Sequence, residues 1–235
     1  MGKSVIVIAV EYLEPEYIAT RESIEQEAAK YRATDQTCDV VYISRKGVGS
    51  LAEAYNRGFR EFGKGYDYVW FVSNITIERV MNSGNGSALE MMVTAMEANR
   101  FTGGKVVAIH PVFDSDHEHL RPIASAGLTP CPFVEFTGPM VRAETFNLFP
   151  LDERMPYWGH DLDWGHRVRQ AGYTMMADHS VILGHSYIRF ARKEKRLHPI
   201  TRQRQANRKR TDAGTELALV KKYGKDWRQI LLYRG

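Results

Sequence analysis

The sequence predicts an α/β fold whose mostly parallel central sheet is flanked by helices. Three observations carry this. The chain opens on a continuous β-branched apolar run, SVIVIAV at 4–10, which suits a strand covered on both faces. Short apolar runs then alternate with helix-period patterns through residues 1–110. The chain has 235 residues, 43% of them hydrophobic and 26% charged, enough to bury one sizeable core.

After the opening strand, residues 16–31 repeat apolar positions at helical spacing (Ile24, Ala28, Tyr31), with Pro15 suited to a first turn. Residues 39–43, DVVYI, read as a second strand. Residues 50–62 read as a second helix, capped by Ser50, with Leu51, Tyr55, Phe59 and Phe62 on one stripe. A third strand covers 66–73. The helix at 87–99 opens on a Ser-x-x-Glu capping box, Ser87 and Glu90, and buries Leu89, Met92, Val93 and Met96. A fourth strand covers 105–110. Beyond it the pattern is less regular. Strands are expected near 133–142 and 174–184, a helix from about Asp161 to Ala171 closed by Gly172, and a short amphipathic terminus at 226–233. The organisation is one domain in two halves, 1–110 and 111–188, followed by an extension at 189–235.

Composition narrows the function. No apolar run approaches a membrane span, and SVIVIAV is too short for a signal core and lacks a small-residue cleavage site. Gly2 opens no myristoylation motif, because position 6 is Ile. Cys38 and Cys131 form no close-spaced motif, so reduced thiols and a cytoplasmic location are expected. The net charge of +4 is uneven: residues 189–210 hold ten Lys or Arg against one Glu, and the rest of the chain is acidic. This segment, with Arg192, Lys193, Arg202, Arg204 and Arg208, would attract a polyanion: a nucleic acid, an anionic membrane surface or a diphosphate. A solvated basic tail is the simpler alternative.

In a parallel sheet, ligands bind at the carboxyl ends of the strands, here near Glu11, Ser44–Arg45, Ser73–Thr76 and His110. GKS at 2–4 lacks the upstream glycine of a phosphate loop. GVGSLA at 47–52 has dinucleotide-loop spacing, but it follows the second strand. Its acidic partner would be Asp67, at the start of a strand and not its end. A plain glycine turn explains it as well.

The densest cluster is YWGHDLDWGHRVRQAGY at 157–173. On a helix, Trp164, Val168 and Ala171 form the buried stripe and Asp161 leads that inward face, whereas Asp163 aligns with His166, Arg167 and Gln170. The ligand-capable residues therefore do not converge on one metal, and Asp163 is expected to pair with Arg167 at i,i+4. Asp161 is either a helix N-cap or a carboxylate aimed into a cleft, where it can take a proton from a hydroxyl. DSDHEH at 114–119 offers Asp114, Asp116, His117 and His119 as a second cluster, either a metal site or a solvated loop.

Six segments, in order, resemble an inverting nucleotide-sugar glycosyltransferase of the GT-A fold, most like family 2, over about residues 4–188. They are SVIVIAVEY, GVGSLAEAYNRGF (Gly49, Ala54, Asn56, Gly58), DYVWFVSN, FTGPMVRAETFNLFPLDER, GHDLDWGHRVRQAGY and SVILGHSY. The resemblance implies a sugar-nucleotide half at 1–110, an acceptor and catalytic half at 111–188, and Asp161 as catalytic base. It implies donor contacts from Val10, Glu11, Ser44, Arg45, Asn56, Ser73, Asn74 and Gly138, and acceptor-side positions at Trp158, Gly159 and His160. His185 matches a distal metal or diphosphate ligand. The chain departs from the family where its Asp-x-Asp should stand, which reads Ser73-Asn74-Ile75-Thr76. Asn ligates divalent cations more weakly than Asp, and Ile does not ligate them. A Mn or Mg ion would then rest on Asn74, His185 and phosphate oxygens, or Arg and Lys would neutralise the diphosphate without metal. His160 replaces the usual Glu, and no acidic residue follows the second strand, which leaves the nucleotide's base open. The acceptor favoured by charge placement is a hydroxylated base in DNA, as for phage enzymes, with a saccharide or lipid-linked acceptor as alternatives. A silent binding module of the same fold and a nicotinamide oxidoreductase built on GVGSLA are the competing classes.

Overall fold

A computed structural model describes residues 2–11, 14–44, 49–81, 86–101, 105–113, 118–123, 127–155, 158–185 and 212–232. Eight strands form one sheet: β1 (Ser4–Glu11), β2 (Thr37–Ser44), β3 (Tyr68–Val72), β4 (Ile75–Val80), β5 (Val106–Val112), β6 (Leu128–Cys131), β7 (Met140–Arg142) and β8 (Thr174–His185). Their order is β2-β1-β3-β7-β5-β8-β4, with β6 also on β8. The strands β2, β1, β3, β5 and β8 share one direction, and β7, β4 and β6 run against it. The sheet is therefore largely parallel, as expected.

The helices are α1 (Glu14–Arg32), α2 (Leu51–Phe62), α3 (Ala88–Phe101), α4 (Ala143–Leu148), α5 (His160–Gln170), α6 (212–223) and α7 (Trp227–Leu232). The caps behave as read: Ser50 Oγ accepts from Glu53 N–H at 3.0 Å, and Ser87 Oγ from Glu90 N–H at 3.2 Å. Helix α5 ends as its glycine requires. Gly172 takes φ +80°, and its N–H and that of Tyr173 return to Arg169 and Val168 carbonyls, a Schellman closure. The predicted stripes on α1 and α3 are all buried. On α2, Phe62 is exposed, because the helix ends there and Phe59 is the last of its stripe to reach the core.

The core is thick with aromatic rings. Tyr55 of α2, Phe71 of β3, Phe146 of α4 and Trp164 of α5 meet around Phe136, and Phe59 of α2 joins through Phe146, with Phe71–Phe146 centroids 4.4 Å apart and Phe136–Trp164 5.3 Å apart. This cluster fixes α5 against the sheet. Gly165 lets α5 approach: a Cβ there would lie 2.6 Å from Phe133 Cβ and 2.9 Å from Phe133 Cα.

Three strand readings need correction. The stretch expected as a strand at 133–142 is one only at Met140–Arg142. Before it, the chain is pinned by single hydrogen bonds: Tyr55 OH to Phe136 O, Ser73 N–H to Thr137 O and Trp70 Nε1 to Gly138 O. β4 and β6 were not expected. Both pair antiparallel with β8, β6 along its first half and β4 along its second. Each is short and partly exposed, so neither shows the apolar run that marks a central strand.

Candidate active site

The carboxyl ends of β1, β3 and β5, the far end of β8 and the start of α5 converge on one side of the sheet. At the first of these, Glu11 of β1 stands in register with Ser44 of β2, whose carbonyl accepts from Arg57 Nη2 at 3.1 Å. Val10 is fully buried within the β1–β2 ladder, so the structure shows no surface of it open to a ligand. Arg45 lies outside the described residues.

β3 ends at Val72, and Ser73-Asn74 turns the chain directly into β4. Asn74 takes φ +55°, a left-handed conformation that Asn tolerates better than most residues. The turn sets Ile75 opposite His185 in the β4–β8 register, which brings the Ser73-Asn74 turn to the far end of β8. Asn74 Oδ1 is buried with no hydrogen-bond partner, and so is Thr137 Oγ1 across from Ser73. Such oxygens are costly to bury unless something pairs with them. Thr137 went unnoticed in the sequence, where only its Gly138 neighbour stood out. Gly138 itself is buried, and a Cβ there would lie 2.5 Å from Leu183 Cδ1, so its small size serves packing.

As a resident metal centre this donor set does not fit. Ile75 is buried and carries no ligand atom, Asn74 and His185 offer two neutral donors, and no three His, Cys, Asp or Glu converge among the described residues. Asp114, Asp116 and His117 lie outside the described residues. His119 turns to Phe133, with Nε2 3.3 Å from its carbonyl and the ring edge-on to the phenyl.

The central group of the site is His110, on β5 and fully buried. Its Nδ1 meets Pro111 O and its Nε2 lies 2.8 Å from Glu135 O. It stacks on Phe113, whose ring in turn meets His185 edge-on at 5.1 Å. Burial lowers its pKa from 6.5 to about 4, against the pull of those two carbonyls. Asp161 and His185 both act on His110, Asp161 raising its pKa and His185 lowering it, so each lies within electrostatic reach of that imidazole. Because its folded pKa is depressed, the folded state binds fewer protons than the unfolded chain between about pH 4 and 6.5. Stability present above pH 6.5 is therefore expected to fall on acidification, by up to about 3 kcal/mol at pH 4. Urea unfolding between pH 7 and 5 tests this: His110→Gln should flatten the dependence, and an unchanged slope would refute it.

Asp161 lies in the first turn of α5 and is half-buried. Its Oδ1 accepts from Gly159 N–H at 3.1 Å and Leu162 N–H at 2.9 Å. Those bonds orient the carboxylate by one oxygen and leave Oδ2 without a described partner. The expected facing of the two aspartates is corrected. Asp163, not Asp161, is the fully buried one, and Ala171 is exposed while Trp164 and Val168 are buried. The reason is α6, which packs over the side of α5 that carries Asp163. The expected pair does form, with Arg167 Nε 2.8 Å from Asp163 Oδ2.

Several family-implied positions are used up inside the protein. Asn56 donates to Leu151 O and Glu153 Oε1, each at 2.9 Å, and accepts from Leu151 N–H at 3.0 Å. Its amide ties α2 to the 151–153 turn and has no hydrogen left for a donor. Trp158 Nε1 donates to Asp212 of α6 at 2.9 Å, Gly159 is buried with φ +91°, and His160 is buried 6.2 Å from the Phe136 ring. Gly159 and His160 are thus covered by protein, whereas Trp158 is half-buried. Asp67, the acidic partner a dinucleotide site needs, sits at the opposite end of the sheet, bonded to Ser4 N–H at 2.9 Å. That placement removes the nicotinamide reading of GVGSLA. The cationic residues Arg192, Lys193, Arg202, Arg204 and Arg208 lie outside the described residues.

No protein-family model matches the chain, and no curated protein matches its sequence. Solved structures do match. The catalytic domain of Drosophila beta1,4galactosyltransferase 7, in complex with xylobiose, superposes with a TM-score of 0.50 at 14% identity, over 76% of this chain and 65% of that one. GalNAc-T7 with UDP, GalNAc and Mn2+ superposes with a TM-score of 0.50 at 11% identity, over 78% of this chain and 44% of that one. The chain thus spans less than two thirds of either protein. The likeness shows the fold, which is that of the GT-A glycosyltransferases. Among the described residues no helix is long and apolar enough to cross a membrane.

Proposed function

We propose that this chain transfers a sugar from a nucleotide-sugar donor to an acceptor hydroxyl by inverting, in-line displacement, with Asp161 as general base. The observation that carries the reading is the Asp161 carboxylate: one oxygen held by two backbone N–H groups, the other without a described partner, within electrostatic reach of His110 at the carboxyl edge of a GT-A sheet. Oδ2 takes the acceptor's hydroxyl proton as the oxygen attacks the anomeric carbon. The bond to the nucleoside diphosphate breaks on the opposite face, and the diphosphate leaves with the electron pair. His110, held neutral by burial, sets the local field without competing for that proton. The unpartnered oxygens of Asn74 and Thr137 line the donor side, where hydroxyls or a cation carried by the diphosphate would satisfy them. The basic stretch at 189–210 begins four residues after His185 and favours a polyanionic acceptor, DNA with a hydroxylated base.

A thermal-shift screen against nucleotide-sugars, with and without manganese, tests the donor. One of them at about a hundred times its Kd should stabilise the fold by about 2.7 kcal/mol. No shift with any nucleotide-sugar would refute the reading. Duplex binding that weakens steeply with salt, and weakens further when Arg202, Arg204 and Arg208 are replaced, is expected of the DNA acceptor. Absence of binding at low salt would remove it and leave the transfer intact.

A further inference from the structure

Helix α5 is gripped along its whole length by the last two helices of the chain. Trp158, just before it, donates to Asp212 at the start of α6. Gly159 lies against Thr215 and Leu219, and a Cβ there would come within 3.1 Å of Thr215 Cγ2. One turn on, Asp163 is fully buried and both its oxygens are taken: Oδ1 by Lys222 Nζ and Tyr223 OH, Oδ2 by Arg167 Nε. Lys222 also reaches Asp152 Oδ2 at 2.6 Å, and Arg154 beside Asp152 holds that carboxyl well below the usual range. Further down, the His166 ring meets Tyr223 at 5.5 Å, and Arg169 Nη2 donates to Leu231 O of α7 at 3.0 Å.

Asp161 sits between two of these anchors. The helix it opens has no side-chain cap and starts on a left-handed glycine, a start that frays readily when nothing holds it. Its own two bonds run only to Gly159 and Leu162, so they travel with the turn and do not fix it to the sheet. The fixed points are Trp158 on one side and Asp163 on the other. Burial and the adjacent Asp163 carboxylate push the Tyr223 phenol up, so it remains a donor throughout the neutral range.

We infer that Lys222 and Tyr223 are positioning residues for the proposed base: by saturating Asp163 they set the depth and register of the first turn of α5, and with it the reach of Asp161 Oδ2. The C-terminal helices would then be a working part of the site and not an appendage. This rests on Asp161 being the base. A carboxylate displaced by about 1 Å from its acceptor loses on the order of a hundredfold in rate while donor binding is untouched.

Steady-state transfer by Tyr223→Phe, Lys222→Met and Lys222→Arg tests the inference, with circular dichroism to count folded protein. Tyr223→Phe and Lys222→Met should lower kcat by about ten- to a hundredfold with the donor KM within about twofold, and Lys222→Arg should restore most of kcat. Unchanged kcat, or a loss that merely tracks the folded fraction, would overturn it. If the wild-type chain transfers nothing from any donor, the proposed function fails first. Amide exchange then decides the positioning: Leu162 and Asp163 N–H should exchange about tenfold faster in Tyr223→Phe, and equal rates would overturn it.

Discussion

Asp161→Asn is expected to cut transfer by a factor of about 10² to 10⁴ with donor affinity and melting temperature nearly unchanged, a rise of about 3–6 kcal/mol in the barrier. The substitution is informative because the carboxylate does two separable jobs. Its Oδ1 accepts from Gly159 and Leu162 N–H, and an asparagine carbonyl in the same place keeps both bonds. Its Oδ2 is the proton acceptor, and there asparagine presents an NH2 group that cannot take a proton. Fold and base are thus uncoupled in one variant. Asp161→Ala should lose the same rate and, in addition, about 1 kcal/mol from the two hydrogen bonds that Oδ1 accepts. Initial rates, donor titration and melting curves of the three proteins make the comparison. An Asp161→Asn protein with near wild-type kcat would end the proposal.

How much of this was legible in the sequence differs from element to element, for physical reasons. The caps at Ser50 and Ser87, the closing Gly172 and the buried strand at 4–10 are local properties, and local chemistry predicted each. The order of the sheet was less accessible. β7 is three residues long and lies between β3 and β5, and nothing in MVR announces a strand that separates two parallel neighbours. The two aspartates of α5 show the limit most sharply. Residues two apart on a helix point to different sides, so the sequence does say that Asp161 and Asp163 part company. It does not say which side is covered. That depends on α6, some fifty residues later, whose Tyr223 and Lys222 close over Asp163. Thr137 escaped for a related reason, since a lone threonine acquires meaning only when Ser73 donates to its carbonyl and its hydroxyl is left unpaired.

Asp163→Ala should be among the most destabilising single changes in the chain. The carboxylate is fully buried and is shared by Arg167, Lys222 and Tyr223, so its removal leaves two cations and a phenol facing an empty space. Breaking a buried pair from one side costs about 3–5 kcal/mol, because the partner charge is left unpaired. Here the lower end applies. The Arg167 and Lys222 side chains are 28% and 27% exposed, and each keeps another acceptor, Pro150 O for Arg167 and Asp152 for Lys222. A loss of about 3 kcal/mol corresponds to a melting temperature lower by roughly 6–12 °C for a domain of this size. Asp163→Asn keeps the volume but turns an amide NH2 toward donors, so it should fall between the two. Pairing Asp163→Ala with Lys222→Met removes one stranded cation. If the stranded charge dominates, the double variant should recover part of the loss of Asp163→Ala alone, whereas simple additivity would mean that the cavity, and not the charge, sets the cost.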